Sequence, residues 1–173
     1  QTTQAVLHQH HLRVYHHADL LGAELAGAAK NVIAIAAGMC DGLGLGDNAK
    51  SALITRGLAE LRRLGRAVGA DDATFAGLAG VGDLIATCCS PHSRNRALGQ
   101  ALAQGQVDVR DYTSRQQSVA EGAWTSLALR EMGNQLAIEL PIACQVASAC
   151  WDGTPVPALM HALLERDAKE ENP

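Results

Sequence analysis

Residues 28 to 50 read AAKNVIAIAAGMCDGLGLGDNAK, and the first half of that run limits the chain's options more than any other feature. Alanine, glycine and isoleucine without polar/apolar alternation do not fit a half-buried strand, whereas alanine is the strongest helix former. Side chains this small let a second backbone or a ligand come close to the helix. Lys30 and Asn31 stand side by side within the run. A charge set among small apolar residues needs a partner or a task.

Most of the remaining chain also reads as helix. Asp19 is placed to cap a helix running to about Ala37, after which Gly38, Gly42, Gly44 and Gly46 predict a glycine-spaced loop. Asp47 then starts a second helix, whose apolar positions Ile54, Leu58, Leu61, Leu64 and Val68 keep helical period until Gly69 ends it. Asp71 or Asp72 caps a short helix to about Leu78, and the AGVGD turn leads into an apolar piece from Leu84 to Cys88. Ser93 caps a helix that Gly105 closes. Ser118 and Glu121 form an S-x-x-E capping box ahead of Trp124, Leu127, Leu129 and Met132, with Gly133 as the stop. Pro141 and Pro155 suit the first turns of two more helices, beginning near Leu140 and Thr154. Only His11 to His17, with Leu12, Val14 and Tyr15, reads as extended. The sum is about seven or eight helices and an all-α fold class.

At 173 residues the chain suits one compact domain, without internal repeats or low-complexity linkers. A net charge of -4 and 3% aromatic residues argue against nucleic acid as a partner, since phosphate binding needs a basic surface and base stacking needs aromatic platforms. No uninterrupted apolar stretch is expected to span a bilayer, so no membrane partner is expected. The five cysteines, Cys40, Cys88, Cys89, Cys144 and Cys150, lack CxxC spacing and fit reduced thiols in the cytoplasm. The opening residues, QTTQAVLHQHHLRVYHH, carry neither an initiating methionine nor a signal peptide and suggest a piece of a longer protein. Their histidines, including His8, His10, His11, His16 and His17, lack acidic or cysteine companions, and no metal site is expected.

Three segments could carry chemistry. In CCSPHSRNR, residues 88 to 96, a Ser93 cap puts Arg94, Asn95 and Arg96 in the first helical turn, where free N–H groups and the helix dipole already favour negative charge. Two arginines there suggest a bound phosphate or carboxylate, although a solvated helix end with ordinary surface arginines reads the same. In GVGDLIATC, residues 80 to 88, Asp83 is either a helix cap or the counter-charge of a cation brought close by the fold, and Thr87 shares its helical face. Lys30 would align with Ala34 and Ala37 over a floor of small residues. An ammonium partly stripped of water can exchange a proton with a substrate hydroxyl near neutral pH; a lysine snorkelling to solvent is the plainer alternative.

Taken together, KNVIAIAAG, DGLGLGDNAKSALITRGLAEL, FAGLAGVGDLIATC and SRNRALG closely resemble the carboxy-terminal domain of the NAD(P)-dependent glycerol-3-phosphate dehydrogenases, over about residues 11 to 165. The resemblance implies a compact multi-helix domain like the C-terminal domain of 6-phosphogluconate dehydrogenase. Residues 1–17 would be the extended remnant of an amino-terminal Rossmann domain, and residues 18–173 the substrate-binding domain. No G-x-G-x-x-G follows a strand in this chain, and GLGLG at 42 to 46 follows a helix. NAD or NADP would therefore be held mainly by a domain outside it.

By the same resemblance Lys30 is the general acid or base, working with Asp83. The substrate, a phosphorylated triose or polyol, would meet Lys30, Asn31, Asp83, Thr87, Ser93, Arg94 and Asn95. Arg94, Val119 and Glu121 would touch the cofactor, although the capping box already accounts for Glu121. Lys50 is expected at the surface. The implied activity interconverts dihydroxyacetone phosphate and glycerol 3-phosphate for phospholipid synthesis, in a homodimer, with this part inactive alone. Two other readings remain open at this point: a non-catalytic helical module for anion binding or dimerisation, and a two-domain dehydrogenase for another hydroxy substrate.

Overall fold

A computed structural model of the protein describes residues 2–107, 109, 112 and 120–164. Its axis is α2, Leu20–Gly42, with α3, α5, α6 and α7 packed around it. Before it come α1, Thr2–Leu7, and an irregular stretch. After it follow α3, Gly46–Val68, α4, Asp72–Ala76, a single π-helical turn at Leu78–Gly82, α5, Asp83–Cys89, and α6, Arg94–Ala103. The last three are α7, Glu121–Leu136, α8, Pro141–Trp151, and α9, Val156–Leu164.

Asp19 caps α2 as its sequence position predicts, one carboxylate oxygen accepting from the Gly22 N–H at 2.8 Å. The other oxygen reaches α4, accepting from Thr74 Oγ1 at 2.6 Å and the Asp71 N–H at 2.9 Å. One carboxylate thus joins the start of the central helix to the α4 turn. Contrary to the expectation from run lengths, α2 is long and apolar enough, by length and composition, to cross a membrane. Its position explains the composition: twelve of its residues are buried, among them an unbroken run from Val32 to Cys40, where other helices pack around it.

Nor does α2 stop at Ala37. It continues through Gly38 to Gly42, because those glycines are where α6 lies against it. A methyl group at Gly38 would sit 1.9 Å from the Arg96 carbonyl oxygen, and one at Gly99 would sit 1.9 Å from the Ile35 carbonyl oxygen. The glycines that turn the chain are Gly44 and Gly46, with φ of 66° and 83°. Asp47 falls in the first turn of α3 rather than at its cap, which is Leu45 without a side-chain bond.

Gly69 closes α3 in the left-handed conformation. Buried Glu60 on that helix accepts from the Ile142 and Ala143 N–H groups at 2.7 and 3.3 Å. With Pro141 in the first turn and lacking an N–H, this carboxylate serves the next two donors that would otherwise be orphaned at the start of α8. Gly133, expected to end α7, lies inside it; the stop is Ala137, at φ 53°.

The expected strand from His11 to His17 is absent. A strand needs a partner for its backbone groups, and among the described residues only Gln9 and Leu12 pair. Val14 is satisfied instead by side chains: its N–H donates to His8 Nδ1 at 3.2 Å, and its carbonyl accepts from Gln4 Nε2 at 2.8 Å.

Candidate functional site

Lys30 lies midway along α2, and its ammonium is ion-paired with the Asp83 carboxylate at the first residue of α5. The lysine side chain is 19% exposed and the aspartate 42%, so the pair sits at a wall of the core with one side open. The π turn delivers Asp83. Gly80 within it would place a methyl 2.2 Å from the Phe75 carbonyl oxygen, so only glycine lets the chain fold back tightly enough over α4. Thr87 stands one turn further along α5, its hydroxyl donating to the Asp83 backbone carbonyl at 2.7 Å and lying 3.4 Å from Asp83 Oδ1.

The second half of the site is the start of α6. Ser93 is its N-cap, Oγ accepting from the Arg96 N–H at 3.3 Å. Among the described residues the Ser93 hydroxyl proton and the backbone N–H groups of Arg94 and Asn95 meet no acceptor, and the helix dipole at this end favours an anion. Arg94 and Glu121 are each half-exposed, and Nη2 donates to Glu121 Oε1 at 3.0 Å. Ala120 is the N-cap of α7 with no side-chain bond, and Glu121 is the first helical residue rather than the third, where a capping box would put it; the expected partner Ser118 is outside the described residues. The Glu121 carboxylate turns to Arg94. Val119, expected to touch the cofactor, also lies outside the described residues.

The two halves meet through amides. Asn95, only 5% exposed, donates from Nδ2 to Asn31 Oδ1 at 3.0 Å and accepts at Oδ1 from the Gly122 N–H at 2.9 Å. Asn31 in turn points Nδ2 toward the Gly27 carbonyl at 3.4 Å. The neighbours in sequence of Lys30 and Arg94 are therefore bonded to each other, which places residue 30 of α2 and the start of α6 at one end of the α2–α6 contact.

A further cluster has no local sequence signal. Lys50, expected at the surface, is 12% exposed and donates to both oxygens of Asp41 at 3.0 Å. Arg96 Nε donates to the same carboxylate at 2.5 Å. The glycine turn folds α3 back along the end of α2, which buries the Lys50 stem. Two cations on one carboxylate clamp α3 and α6 to α2 behind the site. A cleft of about 520 Å³ between the ends of α6 and α8 and the start of α9 contains none of the expected site residues.

All five cysteines are free thiols. Burial pushes Cys40 up to about 11 and Cys88 and Cys150 up to about 12.

Fold and site define an all-α domain whose central helix carries a paired amine and packs against a helix that starts with an arginine behind a serine cap. The family model described as the C-terminus of NAD-dependent glycerol-3-phosphate dehydrogenase matches residues 19–161. A relative named glycerol-3-phosphate dehydrogenase, NAD(P)+, from Salinibacter ruber is 48% identical over 98% of this chain and 49% of its own length. One of the same name from Geobacillus thermodenitrificans is 48% identical over 95% of this chain and 48% of its own. The crystal structure of glycerol-3-phosphate dehydrogenase from Coxiella burnetii superposes with a TM-score of 0.90 at 40% identity, covering 95% of this chain and 50% of that one. The chain belongs to the NAD-dependent glycerol-3-phosphate dehydrogenase family and corresponds to its C-terminal domain. It spans about half the length of the curated relatives it matches.

Proposed function

We propose that this chain is the substrate-binding, lysine-bearing domain, residues 18–173, of an NAD(P)-dependent sn-glycerol-3-phosphate dehydrogenase. Residues 1–17 lead in from a Rossmann domain that carries most of the cofactor site, and the enzyme works as a cytoplasmic homodimer supplying glycerol 3-phosphate for phospholipids. The observation that carries the reading is the Lys30–Asp83 pair beside the Ser93-capped start of α6.

In this reading dihydroxyacetone phosphate lays its phosphate on the start of α6, held by the Arg94 guanidinium, the Ser93 hydroxyl and the Arg94 and Asn95 N–H groups. Its C2 carbonyl then lies toward Lys30. When bound, the nicotinamide cofactor supplies a hydride to C2. The Lys30 ammonium gives its proton to the carbonyl oxygen as that oxygen becomes an alkoxide, so C=O becomes CH–OH and a neutral amine remains; the reverse reaction returns the proton to the amine. Asp83, steadied by Thr87, holds the ammonium in place and balances its charge. Arg94 and Glu121, half-exposed at one edge of the site, are polar groups that the cofactor edge can reach. Val119 is assigned to the same edge by resemblance.

Hydride transfer needs a nicotinamide fixed against C2, so the chain alone is expected to be inactive. The test is Lys30→Ala in the enzyme carrying both halves. A loss of about 10²–10⁴-fold in kcat is expected for a general acid–base group, and turnover within a few-fold of wild type refutes the assignment. Equal rates with unphosphorylated dihydroxyacetone refute the phosphate role of Arg94.

A further inference from the structure

The hydrogen bonds joining α2, α6 and α7 form a chain whose direction is set at one end by the backbone. The Gly122 N–H can only donate, so the Asn95 atom 2.9 Å from it must be the carbonyl oxygen. The other end of the Asn95 carboxamide is then NH₂, and the Asn31 atom 3.0 Å away must be an oxygen. What remains to Asn31 is its own NH₂. One of those protons faces the Gly27 carbonyl at 3.4 Å, and the other has no protein acceptor among the described residues.

We infer that Asn95 is a positioning residue: its carboxamide, locked by the Gly122 N–H, holds Asn31 so that Asn31 meets the substrate only as a hydrogen-bond donor. This rests on the functional reading above and changes one assignment within it. Asn95 is buried, and its side chain, with both ends committed, acts through Asn31 and leaves the phosphate to its backbone N–H. A donor next to Lys30 suits a substrate oxygen that gains negative charge as hydride arrives at C2, where an acceptor would repel it. The same chain fixes the start of α7. A methyl at Gly122 would sit 2.5 Å from the Asn31 carbonyl oxygen and 2.8 Å from Asn95 Oδ1, so the helix cannot slide without breaking the relay.

Asn95→Asp reverses the polarity. The new carboxylate still accepts from Gly122, but it offers Asn31 an oxygen, and Asn31 must turn its NH₂ inward and its carbonyl outward. In the enzyme carrying both halves, with dihydroxyacetone phosphate and NADH, kcat is expected to fall about 10- to 100-fold while the substrate KM stays within a few-fold. Asn31→Ala should lose a similar amount, and the double variant no more than either alone, because both changes remove one donor.

A rise in KM with kcat preserved, or losses that multiply in the double variant, would show instead that the Asn95 side chain binds the phosphate on its own. Asn31→Asp covers the case in which the Asn95 variants fail to fold. It keeps the acceptor that Asn95 needs and replaces the whole Asn31 NH₂, both the outward donor and the proton facing Gly27, with a carboxylate oxygen; wild-type kcat in that variant overturns the inference. An arm independent of turnover follows the Asn95 side-chain NH₂ protons by NMR. Protection from exchange in the wild type that is lost in Asn31→Ala supports the relay, and equal exchange overturns it. A wild-type enzyme that ignores dihydroxyacetone phosphate but shows that protection sinks the substrate assignment and leaves the polarity relay standing.

Discussion

Gly99→Ala tests the closeness of α2 and α6, on which the site geometry depends. The added methyl would sit 1.9 Å from the Ile35 carbonyl oxygen and 3.0 Å from the Met39 nitrogen. Both are backbone atoms of a buried helix and cannot rotate away. Contact distances of roughly 3.5 Å require the two helices to part by roughly 1.5 Å. Overpacking of this kind costs about 3 kcal/mol, offset by about 1 kcal/mol because alanine favours the helix over glycine. The net loss of about 2 kcal/mol lowers Tm by about 4–8 °C for a chain of this size. Gly27→Ala is the matched control on α2: its methyl would meet nothing within 4 Å, so the same substitution should stabilise by about 0.5–1 kcal/mol. Urea unfolding followed by circular dichroism reads both. Opposite signs are expected; a Gly99→Ala midpoint equal to wild type, or a shift in the same direction for both variants, refutes the close approach.

Glu60→Gln keeps one acceptor for the start of α8 and removes the charge from a buried cap; a loss of about 1–3 kcal/mol in urea unfolding is expected, and an unchanged midpoint would contradict the capping role. The hydrogen bond from Thr74, then that from Gly22, holds the Asp19 carboxyl below its ordinary value of 3.8. A depressed native value contributes stability that is present above the unfolded value and lost as pH falls through the native one. The stability gap between wild type and Asp19→Asn should therefore be constant above about pH 5 and close in stronger acid, and a gap that widens in acid reverses the argument. Alkylation of the native protein near pH 8, read by mass spectrometry, should reach exposed Cys89 first and leave Cys40, Cys88 and Cys150 unmodified until unfolding, because burial raises all three.

Much of the fold was legible because its signals are local. Asp19, Asp71 and Ser93 are N-caps in the structure, Pro141 starts α8, and Gly69 closes α3 in the left-handed conformation that glycine favours. These follow from hydrogen bonds within a few residues of one another. The errors arise where a partner distant in sequence decides. Gly38 and Gly42 read as breakers because glycine disfavours a helix interior by itself; α6 lies across them, and the helix runs on. Glu121 read as half of a capping box because its spacing from Ser118 fits, yet its carboxylate faces Arg94, 27 residues away. Lys50 read as surface because nothing near it in sequence shows that α3 folds back onto Asp41.

The candidate site divides along the same line. Lys30 and Asp83 could each be singled out from their own surroundings, but their pairing spans 53 residues, and only the resemblance to a family joined them beforehand. The amide relay had no sequence signal, since Asn31 and Asn95 are 64 residues apart and each looks like a polar neighbour of a more conspicuous cation. Helix arithmetic accounts for the relay once the glycine contact is known. Asn31 lies one turn before Ile35, and Asn95 lies one turn before Gly99. Ile35 meets Gly99 backbone to methylene, and the two helices run in the same direction, so stepping back one turn in each brings the two carboxamides face to face. A glycine at position 99 therefore does more than permit close packing. It sets the level at which Asn95, and the arginine before it, stand against the lysine-bearing helix, so a residue with no chemistry of its own decides which polar groups can meet.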